Sequence, residues 1–332
     1  MRILLAGLSE DRIEMHLLRT LREEGADIEA ITCRGDTVRE TCHSLGIQFE
    51  EHAFSGRLDR NGQRLIQNRL DQKPFDIIHA FSNGALSNTL MSVVRRQSRE
   101  KVVGYRGTVG HLSRLDPASW MSYLNPRLDR IVCVSDAVKK YLRRVGVPDR
   151  KLKTIHKGHD PNWYQSRSQV DLRSFGIPAG AVTVGFIGNM RPVKGVDVLI
   201  RALRLMPESA AVHLLLFGDV RDPRIVDLAA HPRWRRTIHF AGFRPDAAVL
   251  ARGFDIGVMP SVKREGFPKA LVQYMVHGVP PIVTRVGGMP ELVTHDESGL
   301  LIPPRDAKAL ADAMMKLVED PALRRRLGDT AR

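Results

Sequence analysis

The stretch that decides the fold is Asp255-Ile256-Gly257-Val258-Met259-Pro260-Ser261-Val262-Lys263-Arg264-Glu265-Gly266-Phe267-Pro268-Lys269-Ala270-Leu271-Val272-Gln273-Tyr274-Met275. The apolar run Asp255–Met259 predicts a buried strand, Pro260–Phe267 a loop, and the pattern from Pro268 to about His277 a helix. Pro268 suits the first turn of a helix, where its missing N–H would have no partner anyway. Glu265 then falls in the strand-to-helix loop, ahead of the helix N-terminus and not on the helix.

The same strand–loop–helix cycle extends in both directions. Downstream, strands are predicted at Pro281–Thr284 and Gly299–Ile302, followed by two terminal helices from Asp306. Upstream come strands at Val182–Ile187, Val212–Phe217 and Thr237–Ala241, with helices near Val193–Met206 and Asp246–Gly253. The first half holds strands at Arg2–Ala6, Asp27–Thr32, Asp76–Ala80, Lys101–Gly104, Arg130–Ser135 and Lys153–His156. Its clearest helix, Asp136–Val145, has Ser135 or Asp136 to cap its start and Gly146 its end. Such alternation indicates α/β architecture with parallel sheets. The polar stretch 159–169 loses periodicity and reads as a linker. At 332 residues the chain exceeds one usual core, so two Rossmann-like domains are expected, residues 1–165 and 166–332.

Composition removes several function classes. No window approaches the apolar length of a membrane span, and acidic Glu10 and Asp11 interrupt the N-terminus too early for a signal peptide. Cys33, Cys42 and Cys133 form no CxxC pair, which suits free thiols in the cytoplasm. The net charge of +14 divides evenly, +7 on each side of residue 165, so it is no basic tail. Aromatics are only 6%, and no RNP, zinc-finger or basic-zipper pattern occurs, so nucleic acid is not the expected partner. Anionic small substrates, an anionic membrane surface and a plain Arg-rich solvated surface remain.

In open parallel sheets ligands gather at strand C-termini, beside helix N-termini, so the strand-to-helix loops carry the chemistry. The loop Gly188-Asn189-Met190-Arg191-Pro192-Val193-Lys194-Gly195 sets two cations beside a helix start, where they can hold a diphosphate or simply be solvated. Glu265 can complement the helix dipole, or accept hydrogen bonds from ligand hydroxyls while the Lys269 and Ala270 N–H groups face a phosphate. A third loop runs through Gly287-Gly288-Met289-Pro290-Glu291. No Gly-x-Gly-x-x-Gly follows any predicted strand, which disfavours a nicotinamide dehydrogenase.

Together these motifs resemble the donor domain of retaining GT-B glycosyltransferases, in particular glycosyltransferase family 4. The matching pieces are Gly188…Arg191…Lys194-Gly195, Pro260-Ser261…Glu265-Gly266-Phe267-Pro268, Gly287-Gly288…Glu291 and Gly299-Leu300…Pro303-Pro304. Looser matches in the first half are Asp76-Ile77-Ile78-His79, Val132–Val138 and Gly158-His159-Asp160. The resemblance implies the GT-B fold, two Rossmann-like domains facing across a cleft. It implies that Arg191 and Lys194 stabilise the departing diphosphate and that Glu265 contacts sugar hydroxyls. Gly266, Phe267 and Pro268 would line the sugar pocket, with Gly188 and Asn189 beside it, and the Lys269–Ala270 backbone would meet the phosphate. Position 273 would grip the ribose. Here it is Gln273 where the family has an acidic residue, so a neutral amide replaces a carboxylate able to accept from both hydroxyls. The first strand–helix loop keeps one glycine, Gly7, of the family's pair, and Arg106 or His111 stands where a histidine is usual.

The expected activity is therefore metal-independent, cofactor-free transfer of a hexosyl group from a nucleotide-diphosphate sugar, with no Asp-x-Asp triplet to clamp a metal. The acceptor is expected to be a glycan or a lipid-linked molecule of cell-envelope polysaccharide or lipopolysaccharide type. That would place the protein in the cytoplasm, peripheral at the inner membrane face. Helix patterns around Leu58–Asp71 (Arg60, Arg64, Arg69) and at Lys139, Lys140, Arg143 and Arg144 are basic and amphipathic, as lipid-lying helices or ordinary docked helices are. Two other outcomes are weighed: a non-catalytic sugar-nucleotide-binding protein, and an epimerase of the same fold using His111, His79 or Asp116. Losing Arg191 or Lys194 is expected to cost turnover at least about a hundredfold with the fold intact.

Overall fold

The computed structural model describes residues 1–96, 99–164, 170–232 and 234–332. The chain separates into two compact units, Met1–Gly158 and His159–Arg332. The unit boundary stands at the start of the expected linker, of which residues 165–169 lie outside the described residues.

The first unit contains strands β1 (Arg2–Leu8), β2 (Asp27–Thr32), β3 (Gln48–Glu51), β4 (Ile77–Ala80), β5 (Lys101–Arg106), β6 (Arg130–Cys133) and β7 (Leu152–Thr154). Helices α1 (Arg12–Glu23), α2 (Asp36–Ser44), α3 (Arg60–Gln72), α4 (Asn83–Arg96), α5 (Pro117–Trp120) and α6 (Asp136–Arg144) connect them. All pairings are parallel, in the order β3-β2-β1-β4-β5-β6-β7. Strand β3 is not foreseen by the sequence pattern. Its Gln-Phe-Glu-Glu has one apolar residue, and it survives as an edge strand paired only with β2. In α6 the cap is Ser135, whose hydroxyl accepts from the Val138 N–H, and Gly146 follows at φ +96°.

The second unit holds β8 (Val182–Ile187), β9 (Val212–Phe217), β10 (Ile238–Gly242), β11 (Ile256–Met259), β12 (Pro281–Thr284) and β13 (Leu300–Ile302). Its helices are α7 (Val196–Leu205), α8 (Pro223–Ala229), α9 (Ala247–Leu250), α10 (Lys269–Val276), α11 (Ala307–Glu319) and α12 (Pro321–Ala331). The six strands are parallel in the order β10-β9-β8-β11-β12-β13. Because side chains alternate along a strand, Leu214 and Leu216 of β9 join one core layer while Leu215 and Phe217 join the other. A sheet apolar on both faces must be sandwiched between helices, as parallel sheets are. Two expected helices are shorter than the apolar periodicity implies. Gly195 at φ +69° stops α7 from starting before Val196, and α9 gives way to a 3₁₀ turn at Ala251–Gly253.

In each sheet the strand order reverses about its first strand, at β1/β4 and at β8/β11, the switch points where strand-end loops diverge and leave room for a ligand. Among the described residues no helix is long and apolar enough to cross a membrane.

His79 on β4 gives the first unit a pH-sensitive element. Its Nε2 is sealed from solvent without a hydrogen-bond partner, its ring lies 4.3 Å from that of Phe81, and burial pushes its pKa down to about 4. The unfolded chain, with an ordinary imidazole near 6.5, takes up the proton first. This contribution to stability is therefore complete above that value and lost as pH falls toward 4, roughly 3 kcal/mol in all. Denaturant unfolding is expected to show wild type losing stability across this window relative to His79→Leu. Parallel curves for the two proteins would contradict the assignment.

Candidate functional site

The β8/β11 switch point brings the two charged loops into contact. The Val262 N–H donates to the Val193 carbonyl at 2.9 Å, so the loops after β8 and β11 run side by side. A Cβ at Gly195 would lie 2.0 Å from the Pro260 carbonyl oxygen, and only glycine permits that approach at φ +69°. The Ile187 N–H donates to the Tyr274 hydroxyl at 2.9 Å, which ties α10 to the end of β8.

Within this frame Lys194 Nζ lies 2.6 Å from Glu265 Oε1. Glu265 is only 6% exposed, and the Ser261 hydroxyl donates to the same oxygen at 2.5 Å. The backbone of Ser261 is fixed in turn by the Thr284 hydroxyl, which donates to its carbonyl at 2.5 Å. Gly287 closes the far side: a Cβ there would sit 1.9 Å from the Glu265 carbonyl oxygen. Arg264, just before the carboxylate, holds φ +68°, a left-handed conformation that costs a non-glycine residue about 1 kcal/mol. Two donors, the Lys194 ammonium and the Ser261 hydroxyl, converge on the carboxylate, and the strained Arg264 and the glycine contact fix the backbone that carries it.

The remaining residues singled out from the sequence take distinct places. Arg191 is exposed, and its Nε donates to Asn189 Oδ1 at 3.0 Å, so the guanidinium stands at the loop surface. The backbone of Gly188, φ +151°, is held by its N–H on the Phe217 carbonyl. Gly266 and Pro268 are buried, Phe267 and Gln273 half-buried. Pro268 is the N-cap of α10 and not its first residue, and no side chain caps that helix. Ala270 is buried behind an exposed Lys269.

In the first unit, Gly7 at φ +78° lies at the other switch point, where a Cβ would meet Ala85 of α4 at 2.7 Å. The two acids after it are structural. Asp11 caps α1 and pairs with Lys157 at 3.0 Å, while Glu10 accepts the Thr37 N–H in the first turn of α2. Arg106 is 3% exposed, donates to the Thr108 and Gly110 carbonyls, and lies 4.7 Å from the Tyr123 ring centre. Its charge is spent on shaping the loop that carries His111, which is exposed at φ +66°. Sequence reasoning assigned no role to Ser261, Thr284 or Tyr274. Serine and threonine beside a strand end are too common to signal a network, and Tyr274 reads as core.

The Lys194–Glu265 pair makes a stability prediction that revises the expectation of an intact fold. Truncating one partner of a buried pair strands the other charge at a cost of roughly 3–5 kcal/mol. Lys194→Ala is expected to lower the unfolding free energy by that amount, and Lys194→Ala with Glu265→Ala to recover at least half of it. Strict additivity of the single losses in urea unfolding would contradict the pairing.

Residues 181–320 match the family model described as Glycosyl transferases group 1, and residues 12–163 match Glycosyltransferase Family 4. Over 206 residues the chain is 29% identical to N-acetyl-alpha-D-glucosaminyl L-malate synthase of Bacillus anthracis, covering 61% of this chain and 54% of that protein. Over 197 residues it is 28% identical to the putative colanic acid biosynthesis glycosyltransferase WcaL of Escherichia coli, covering 57% and 47%. The chain thus spans about half the length of the curated relatives it matches. Among solved structures, Anabaena HepE in complex with UDP-glucose superposes with a TM-score of 0.81 at 21% identity, covering 100% of this chain and 93% of that one. At that identity the likeness speaks for the fold. With a family match in each unit, the chain belongs to the family-4, group-1 glycosyltransferases of GT-B fold.

Proposed function

We propose that the protein transfers a hexosyl group from a nucleotide-diphosphate sugar to a glycan or lipid-linked acceptor of cell-envelope polysaccharide or lipopolysaccharide type. The observation that carries this is the Lys194–Glu265 pair at the β8/β11 switch point. A ligand that enters there must offer hydroxyl donors to the carboxylate and anionic oxygens to the ammonium. A nucleotide sugar carries both, a hydroxylated ring joined to a diphosphate.

On this reading Glu265 holds the sugar, Lys194 and Arg191 face the diphosphate, and the Lys269 and Ala270 amides add the positive end of the α10 dipole. Charge builds on the leaving diphosphate as the glycosidic bond breaks, and preorganised cations stabilise it by several kcal/mol without a metal ion. The configuration at the anomeric carbon is retained, with the acceptor hydroxyl attacking from the leaving-group face, and we assign no protein nucleophile. On the acceptor side we assign the loop that Arg106 braces and His111 within it.

An epimerase of the same fold finds less support. Of its three acid–base candidates, His79 is buried with its pKa pushed down, and Asp116 is occupied in capping α5 through the Ala118 N–H and the Ser119 hydroxyl. A non-catalytic sugar-nucleotide binder is separated by turnover alone.

Arg191→Ala and Lys194→Ala are each expected to lower kcat at least about a hundredfold, near 3 kcal/mol of transition-state stabilisation, and EDTA to leave the wild-type rate unchanged. A panel of nucleotide sugars supplies the donor; near-normal rates in both variants, or hydrolysis and transfer absent with every donor, would refute the proposal. Gln273→Glu is expected to tighten donor binding about fivefold, since a hydrogen bond to a charged group exceeds a neutral one by about 1 kcal/mol. Calorimetric titration reads this directly, and unchanged or weaker affinity would remove Gln273 from the ribose contact.

A further inference from the structure

The cations around Glu265 outnumber what a diphosphate needs. The loops after β8 (188–195), β11 (260–268) and β12 (285–291) carry five of them, Arg191, Lys194, Lys263, Arg264 and Arg285, against two acids, Glu265 and Glu291. Lys194 is matched by Glu265 at 2.6 Å, and Arg191 is the cation given above to the diphosphate. Lys263, Arg264 and Arg285 are left over, with Glu291 alone against them.

The sheet order β8-β11-β12 puts the Glu265 loop between the Arg191–Lys194 loop on one side and the Arg285 loop on the other. The second side is held as closely as the first. Thr284, next to Arg285, donates its hydroxyl to the Ser261 carbonyl at 2.5 Å, and a Cβ at Gly287 would meet the Glu265 carbonyl oxygen at 1.9 Å. Lys263 and Arg264 directly precede Glu265 in the chain. All three leftover cations are exposed, and among the described residues neither Lys263 nor Arg285 has an ion-pair partner. Arg264 adds a separate sign. At φ +68° a glycine would be free of strain, yet the position holds a long cation, and strain of this kind is kept where a side chain has a task.

A hexose held by its hydroxyls on Glu265, with its diphosphate toward the β8 loop, turns the opposite edge of its ring toward the β12 loop. A neutral hexose offers the cations there only hydroxyls. A hexuronate, whose C6 is a carboxylate, offers a planar anion that a guanidinium takes up in fork geometry. Repulsion between that anion and Glu265 is blunted by Lys194, already paired with Glu265.

We propose that the donor sugar is a hexuronic acid, its carboxylate recognised by Lys263, Arg264 and Arg285. This deepens the nucleotide-sugar reading of the site and rests on it. The carboxylate takes no part in bond making. The anomeric C–O bond to the diphosphate breaks, a bond to the acceptor oxygen forms, and the acceptor's proton passes to the departing diphosphate.

Titration calorimetry on the full chain compares donors that differ only at C6: UDP-glucuronate with UDP-glucose, UDP-galacturonate with UDP-galactose, and GDP-mannuronate with GDP-mannose. In at least one pair the uronate is expected to bind at least about tenfold tighter, and the preference to shrink as salt rises. Arg264→Gly suits the left-handed backbone and should melt no lower than wild type. That variant and Arg285→Gln are each expected to cut the ratio of uronate to neutral affinity at least about fivefold. General loop damage would weaken both members of a pair alike and leave the ratio standing. Equal or tighter binding of the neutral member in every pair that binds, or an unchanged ratio in both folded variants, would overturn the proposal and leave the nucleotide-sugar reading in place. Binding of none of the six donors would remove both. Should neutral donors be preferred and the variants slow transfer only to anionic acceptors, the second anion belongs to the acceptor and the assignment to the donor sugar is overturned.

Discussion

A carboxylate shut away from water must find a partner, and Glu265 finds Lys194 at 2.6 Å. Much of the second unit's local architecture follows from that need. The lysine arrives on the loop after β8 and the carboxylate on the loop after β11, strands adjacent in space yet far apart in the chain. The parallel pairing of β8 with β11, at the point where the strand order reverses, sets those two loops side by side. Gly195 and Gly287 permit the backbone to close around the pair, and the Thr284–Ser261 relay aims a further donor at the same oxygen. The left-handed Arg264 shows that the carboxylate's position is maintained at a local backbone cost.

The arrangement also explains why such a pocket suits a ligand with two chemical faces. A plain anion would have to displace Glu265 from Lys194 and leave the carboxylate facing like charge. A neutral polyol would satisfy the carboxylate and leave the cation unanswered. A sugar joined to a diphosphate answers both, and the exposed Arg191 three residues before Lys194 adds charge where the loop meets solvent.

The repetitive parts of the molecule were legible in the sequence. Buried parallel strands are short continuous apolar runs, and glycines mark the strand-to-helix loops, so nearly every strand and the charged loops could be placed from residues alone. Strand β3 escaped because an edge strand needs little apolar content, and α7 began late because Gly195 sits in the left-handed region. Tertiary partnership was the illegible part. The pattern cannot reveal that Glu10 and Asp11 cap helices, that Arg106 is absorbed by its own loop, or that Ser261 and Thr284 support Glu265. It equally cannot tell a docked basic helix from one left free for lipid, since both show the same periodicity; burial of Ile66 and Leu142 decides that.

A crystal structure of the chain grown with a nucleotide-diphosphate sugar tests the central claim most directly. The account predicts diphosphate oxygens within hydrogen-bonding reach of Lys194 or Arg191 and a sugar hydroxyl on the Glu265 carboxylate. A nucleotide sugar seated away from the β8 and β11 loop ends, with Lys194 and Glu265 still closed on each other, would contradict it.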